Sequence, residues 1–324
     1  AQDLPTPALI YDLDAVRDTV AALRADLAPL GEVELLFAVK ANRCPGLLEG
    51  MAALGLGGNI ASLHELGVAR KAGLYPLSVT SPGLDHALIH EAVEAGAHVY
   101  LDTQTQVETW GRAEILPRAV GLRLRLPLDP SNRGANDSSP WSRFGVNPAD
   151  PDLHAALARY GLNVTALHVH AGEMRDPDRA RRIAMGLAAA RTVFPEVSSI
   201  NFGGGLTYLY ADPEKARAAF AALAEGLAGA QRALRIALEP SMLLTALAGT
   251  LLTRVLDARS GHNGTRHVTL DASAWNLATW SAPRVWGAFP ARETPPEPHD
   301  LAGTTCYEQD YFARRALLPA LQVG

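Results

Sequence analysis

Short apolar runs alternate with longer amphipathic segments through most of the chain. The short runs are ELLFAVK (34–40), GGNIA (57–61), LSVT (77–80), AHVYL (97–101), VGLRLRL (120–126), VTALHVH (164–170), SSINF (198–202) and LRIALE (234–239). Each has the length of a buried strand. Between most of them lie Ala/Leu/Glu/Arg-rich stretches of helical length, among them 62–73, 84–96, 178–191 and 212–230. Eight strand–helix alternations in roughly 200 residues predict an α/β protein built on a (β/α)8 TIM barrel. An open doubly wound sheet is the competing arrangement. The count of eight, and the recurrence of chemically interesting residues at strand ends, favour the barrel.

The pattern changes after about residue 245. LLTRVLDARS, HVTLDAS, RVWGAF and AGTTCYEQD read as strands and turns with little helix between them. They predict a second, mostly β domain. The Pro-rich PARETPPEPHD reads as an exposed loop. PALIYDL, at the start of the chain, also reads as a strand and is assigned to the same domain. The expected division is therefore a barrel over 26–245, with 1–25 and 246–324 forming the β-rich domain.

Composition narrows the class of function. The chain has 324 residues, 48% hydrophobic and 19% charged, as expected for a soluble globular protein. Net charge is −5 with no basic stripe, which excludes a nucleic-acid-binding surface as the leading reading. Two cysteines, Cys44 and Cys306, give neither a disulfide framework nor metal-ligand spacing. No metal is expected. No apolar stretch reaches the roughly 18 residues of a membrane span. With no signal peptide visible at the N-terminus, the expected location is the cytoplasm.

Several strand ends carry candidate chemistry. Lys40 ends the first barrel strand in FAVKAN. In a barrel mouth, partial desolvation would favour the neutral amine that forms an imine; taken alone, it reads first as a surface lysine at a strand end. HVHAGE ends the sixth strand. His170 there could stack on a flat ring or be a satisfied core residue, with His168 on the same face by strand period. Gly203, Gly204 and Gly205 follow the seventh strand in NFGGGL, where barrels often bind phosphate through backbone N–H groups; a flexible turn is the alternative. Glu239 ends the eighth strand in LEPSM, placed either to keep a pyridine nitrogen protonated or to pair with a rim arginine. Cys306, in GTTCYEQD, is either a proton donor or an inert small residue.

Together these phrases resemble the fold type III pyridoxal 5′-phosphate (PLP) enzymes, in particular the ornithine/diaminopimelate/arginine decarboxylase family. The ordered set FAVKAN, ASLHE, SRFG, HVHAG, INFGGGL, LEPSM, TLDAS and GTTCYEQD covers almost the whole chain. The resemblance implies a PLP-binding barrel followed by a β domain, in a homodimer with shared active sites. It implies a Schiff base on Lys40, His170 stacked on the cofactor ring, Gly203–Gly205 at the phosphate and Glu239 at the pyridine nitrogen. It further implies that Cys306 reprotonates Cα in the partner's site, and that Asp271 and Asp310 lie on the substrate side.

The chain also departs from that pattern. The family's Glu-Pro-Gly-Arg is Glu239-Pro240-Ser241-Met242, so a phosphate-binding arginine is replaced. Tyr307 stands where an acidic residue commonly reads a distal amine. An arginine used for a distal carboxylate has no clear match. A Gly-Ala-Tyr phrase is expected beyond the final LQVG, so the β domain is expected to be cut short. The implied activity is decarboxylation of an amino acid, a diamino acid or a related biosynthetic substrate. Racemisation, with Tyr307 as a second acid/base, and a non-catalytic PLP-binding or regulatory role are the alternatives.

Overall fold

The computed structural model describes residues 4–113, 115–126, 128, 139, 141–228, 234–261, 264–277, 283–287 and 294–324. Contacts divide the chain into two units, Asp12–Ala248 and Ala1–Tyr11 with Gly249–Gly324.

The larger unit is a closed barrel of eight parallel strands: β2 (Val33–Ala38), β3 (Gly57–Ile60), β4 (Leu77–Thr80), β5 (His98–Leu101), β6 (Ala119–Arg123), β7 (Asn163–His168), β8 (Ser199–Asn201) and β9 (Arg235–Leu238). β9 closes on β2 with Ile236 opposite Val33. Every one of the eight predicted runs is therefore a barrel strand. The outer layer comprises α2 (Pro45–Ala53), α3 (Leu63–Ala72), α4 (His86–Glu94), α5 (Gln104–Arg112), α6 (Pro151–Arg159), α7 (Pro177–Val193) and α8 (Pro213–Gly226). Most begin at a polar cap: Ser62, Asp85, Thr103, Asp150, Asp176 and Asp212 each accept a hydrogen bond from a first-turn backbone N–H. Such caps satisfy donors that a helix start leaves unpaired. They also fix where each of these helices starts.

Helix α1 (Leu13–Asp26) belongs to the barrel unit rather than to the β-rich one, which moves the expected boundary from residue 26 to residue 12. Its apolar stripe of Val16, Val20 and Leu23 is buried, and it packs against α2, α8 and the short helix α9 (Met242–Thr245). An amphipathic helix goes where its stripe is covered. Strand character alone had drawn residues 1–25 together.

In the smaller unit, β1 (Ala8–Tyr11) pairs antiparallel with β10 (Gly249–Leu252). A second sheet runs β11 (Val255–Ser260), β12 (Arg266–Leu270), β13 (Glu297–Ala302), β14 (Tyr311–Leu318), with β12 and β13 parallel. Val268, Leu270, Leu301, Phe312 and Leu318 form its core. Two expectations change here. The end of PARETPPEPHD is not a loop but opens β13, because His299 and Leu301 alternate inward; 290–293 lie outside the described residues. RVWGAF is not a strand over 284–287, and 288–289 lie outside the described residues. Among the described residues no helix is long and apolar enough to cross a membrane.

Candidate active site at the barrel mouth

The C-terminal ends of β2, β7, β8 and β9 bring four of the predicted features together. Lys40 lies two residues past β2, in a single 3-10 turn (Val39–Ala41), with its side chain exposed. Its charge acts on Glu239, directly after β9. His170, two residues past β7, is half-buried against the glycine loop: a Cβ on Gly203 would lie 3.1 Å from the His170 Cβ, and one on Gly204 would lie 3.7 Å from Nε2.

The glycine loop has a geometry that side chains would destroy. Gly203 and Gly205 take φ of +69° and +82°, in the left-handed region. A Cβ on Gly205 would sit 2.1 Å from the Gly172 carbonyl oxygen, and one on Gly204 would sit 2.8 Å from the Glu239 carbonyl oxygen. The Gly203 N–H donates to Asn201 Oδ1 at 2.8 Å. Among the described residues, the next three N–H groups, of Gly204, Gly205 and Leu206, have no protein acceptor. Gly204 and Leu206 are nevertheless buried. Buried backbone donors without acceptors are uncommon, and a run of them in a left-handed turn makes an anion-binding concavity.

Glu239 is buried, 5% exposed, and its two oxygens differ. Oε1 accepts from Asn59 Nδ2 and Asn201 Nδ2, both at 2.8 Å, and lies 3.3 Å from His168 Nε2. No described residue donates a hydrogen bond to Oε2. Burial pushes the Glu239 carboxyl up, but the neighbouring His168, then His170 and Lys40, bring it below its ordinary value. His168 itself is held below its ordinary value, first by burial and against the pull of Glu239. These two tendencies conflict, since a histidine kept neutral cannot lend Glu239 a full positive charge. His168 is 1% exposed and its ring nitrogens have no hydrogen-bond partner among the described residues, which favours its neutral form, and the two amide donors add to the stabilisation of the Glu239 anion.

Beneath this layer, Tyr100 lies 5.3 Å from the His168 ring. Its hydroxyl is pushed well above the ordinary value, chiefly by burial and then by the Glu239 charge. Beside it, Arg123 and Asp102 form a buried ion pair at 3.3 Å. Asp102 Oδ1 also accepts the Gly145 N–H of the SRFG phrase, and Arg123 stacks over Phe144.

The remaining predicted residues lie in the β-rich unit. Cys306 and Tyr307 are exposed on the turn between β13 and β14, with the Tyr307 ring 5.7 Å from Trp275. Asp310 is buried and fully engaged: it accepts from Ser273 Oγ, Ala274 N, Thr305 N and Thr305 Oγ1 at 2.6–3.1 Å. Despite the cost of burial, these bonds hold its carboxyl below the ordinary value. Asp271 accepts the Arg254 N–H at 2.8 Å. Both acids, expected on the substrate side, are given to backbone donors.

Residues 13–246 match the family model described as pyridoxal-dependent decarboxylase, pyridoxal binding domain. The chain belongs to this family. It is a PLP-dependent amino-acid decarboxylase of fold type III. Among curated relatives, the diaminopimelate decarboxylase of Deinococcus radiodurans is 29% identical over all of this chain and 83% of its own length. An uncharacterized protein of Sinorhizobium fredii, y4yA, is 32% identical over 65% of this chain and 46% of its own. Among solved structures, Helicobacter pylori diaminopimelate decarboxylase complexed with L-lysine superposes with a TM-score of 0.84 at 21% identity, covering 100% of this chain and 85% of that one. The Vibrio vulnificus lysine/ornithine decarboxylase complexed with cadaverine gives 0.80 at 19% identity, over 100% of this chain and 87% of that one.

The decarboxylase site fits the cofactor. The orphaned N–H groups of the glycine loop suit a phosphate, and the unpaired Glu239 Oε2 suits a protonated ring nitrogen. At Met242, the first residue of α9, there is no cation for the phosphate, which leaves the load on the backbone donors. Asn59, Asn201, Tyr100 and the Asp102–Arg123 pair were not singled out in the sequence. The parallel register, with Leu101 opposite Leu122, is what makes Asp102 and Arg123 neighbours.

Proposed function

We propose that this decarboxylase acts on a diamino acid or a closely related substrate, with PLP held covalently by the Nζ of Lys40. The observation that carries the reading is the convergence of Lys40, the unpartnered N–H groups of the glycine loop and a Glu239 carboxylate with one bonded and one unbonded oxygen at one end of the barrel. The L-lysine and cadaverine bound to the two solved relatives fit the same substrate class.

When bound, PLP supplies the electron sink that lets the bond from Cα to the carboxylate break. The protein contributes position and proton control. Lys40 would hold the cofactor through its Nζ, Glu239 Oε2 would keep the ring nitrogen protonated, His170 would shield the ring from water, and Gly203–Gly205 would anchor the phosphate. Cys306 holds the proton that is returned to Cα. The resemblance assigns Cys306 to the site of a second copy, so the working protein is read as a cytoplasmic homodimer. Tyr307, exposed beside Cys306, stands where an acidic residue commonly reads a distal amine, so meso-diaminopimelate and L-arginine, whose far ends are not a simple ammonium, are informative members of the panel that tests the diamino-acid class.

The test is incubation with meso-diaminopimelate, L-lysine, L-ornithine and L-arginine in D2O, following CO2 release and deuterium at Cα. Release of CO2 with one deuteron incorporated is expected. Exchange with inversion and no CO2 would establish a racemase instead. Borohydride reduction followed by peptide mass mapping should place the cofactor on Lys40, and label elsewhere would remove that assignment.

A further inference from the structure

The turn that carries Cys306 and Tyr307 is tied to a second segment of the β-rich unit through Asp310. Oδ1 accepts from Ser273 Oγ at 3.1 Å and Ala274 N at 2.8 Å, while Oδ2 accepts from Thr305 N at 3.0 Å and Thr305 Oγ1 at 2.6 Å. A backbone bond from Thr304 N to Ala272 O at 3.1 Å joins the same two segments. The segment at Ser273 continues into a 3-10 turn, Ala274–Asn276, and Ser273 Oγ caps it by accepting from Trp275 N at 3.2 Å. Two aromatic side chains are thereby held side by side. The Trp275 and Tyr307 rings lie 5.7 Å apart, centroid to centroid, at an interplanar angle of 48°. Trp275 is 52% and Tyr307 67% exposed, so the pair keeps ring surface to offer a ligand instead of packing into the core of its sheet. The next residue, Glu308, is exposed as well.

We infer that Trp275 and Tyr307 form one aromatic subsite that reads the far end of the substrate, and that this far end is a cation, an ammonium or a guanidinium. The inference rests on the reading of Cys306 as the group that returns the proton to Cα. Reach follows from that role. A proton donor comes to about 3 Å from the atom it serves. Tyr307 starts one Cα step, about 3.8 Å, further along the chain. The ammonium of an extended lysine-type side chain lies about 6 Å from its own Cα. Tyr307 and the ring beside it therefore stand at the distance of the substrate's distal group. The sign of that group follows from the rings. An aromatic face carries the negative lobe of its quadrupole and attracts a cation within about 6 Å of the centroid. With centroids 5.7 Å apart, one cation can meet both rings at once. The exposed carboxylate of Glu308 adds a field of the same sign, which favours a cationic tail over a carboxylate one. Asp310 cannot take this part, since both its oxygens are held by the turn and its neighbour.

Cadaverine and n-pentylamine test this in the holoenzyme. They share the reacting amine and the carbon chain and differ only in the charged far end, so the ratio of their dissociation constants, measured by titration calorimetry, isolates that end. The wild type should bind cadaverine more tightly. Trp275→Leu and Tyr307→Leu should each lower the preference about two- to fivefold, the range of an exposed cation–π contact. Trp275→Phe and Tyr307→Phe, which keep a ring, should retain most of it. A role confined to packing would change both affinities alike and leave the ratio where it was. An unchanged ratio in both leucine variants, or its loss in Glu308→Gln with the leucine variants unaffected, would overturn the inference. A wild-type preference for n-pentylamine would overturn it too, by making the pair an apolar subsite. The underlying reading fails separately: if Cys306→Ala still returns a deuteron to Cα at the wild-type rate, Cys306 is not the proton donor, whatever the amine ratio shows.

Discussion

Substituting Gly205 by alanine isolates the cost of the cradle. Two terms add. The first is backbone strain: at φ of +82° an L-residue pays about 1–2 kcal/mol. The second is overlap. The new Cβ would lie 2.1 Å from Gly172 O, 2.8 Å from its carbonyl carbon and 3.0 Å from Glu173 Cα. All three are backbone atoms, so no rotamer change relieves them, and separating them means moving the loop by about 1 Å, at a typical overpacking cost of 1–3 kcal/mol. The movement also stretches the Met174 N–H bond to Gly205 O, now 2.7 Å. The sum is about 2–5 kcal/mol, a large share of a net stability of about 5–15 kcal/mol. Gly73 supplies the control. It has the same φ of +82°, at the end of α3, but a Cβ there would meet only the Ala52 Cβ at 3.9 Å. Gly73→Ala should therefore cost only the strain term. Urea unfolding of the two variants measures the difference, and PLP titration should show weakened binding for Gly205→Ala alone. Equal destabilisation of the two variants, or unaltered PLP affinity in Gly205→Ala, would refute the cradle geometry.

The buried ion pair gives a second prediction: Arg123→Met leaves the Asp102 carboxylate buried without its countercharge and should cost about 3–5 kcal/mol in urea unfolding, with Asp102→Asn recovering part of it in the double variant. Stability should also depend on pH through His168, whose folded pKa is depressed by burial below the ordinary 6.5. The unfolded chain takes up that proton first, so the contribution is complete above about pH 6.5 and is lost below it by up to about 1.4 kcal/mol per pH unit. His168→Gln should flatten the wild-type slope between pH 7 and pH 5 by about one proton, and identical slopes would remove His168 as the cause. Finally, mixing Lys40→Ala with Cys306→Ala chains should restore activity that neither variant has alone, because a hybrid dimer regains one site with both residues. Failure to complement, with dimers confirmed by native mass spectrometry, would place Cys306 and Lys40 of the same chain in one site.

The fold was readable because each barrel strand is buried on both faces and appears as a continuous apolar run. Lys40, His170, the glycine triplet and Glu239 stand out as candidates for a related reason: each lies at or just past the end of such a run, where a barrel gathers its chemistry. The residues behind them do not. Asn59 sits inside GGNIA and Asn201 inside SSINF, each a short polar residue in a strand-like stretch, and nothing in the run says whether it faces the helices or the barrel interior. Closure of the barrel decides it, by bringing β3, β8 and β9 around one carboxylate. The resemblance placed Asp310 on the substrate side; in the fold its oxygens accept from the donors of Thr305, Ala274 and Ser273. A turn of eight residues, 303–310, leaves backbone N–H groups that some acceptor must satisfy, and a short buried carboxylate does so with charge-assisted bonds. Asp310 gives the turn a fixed shape, and that shape leaves the Cys306 thiol and the Tyr307 ring exposed, as their proposed roles of proton donor and substrate-reading group require.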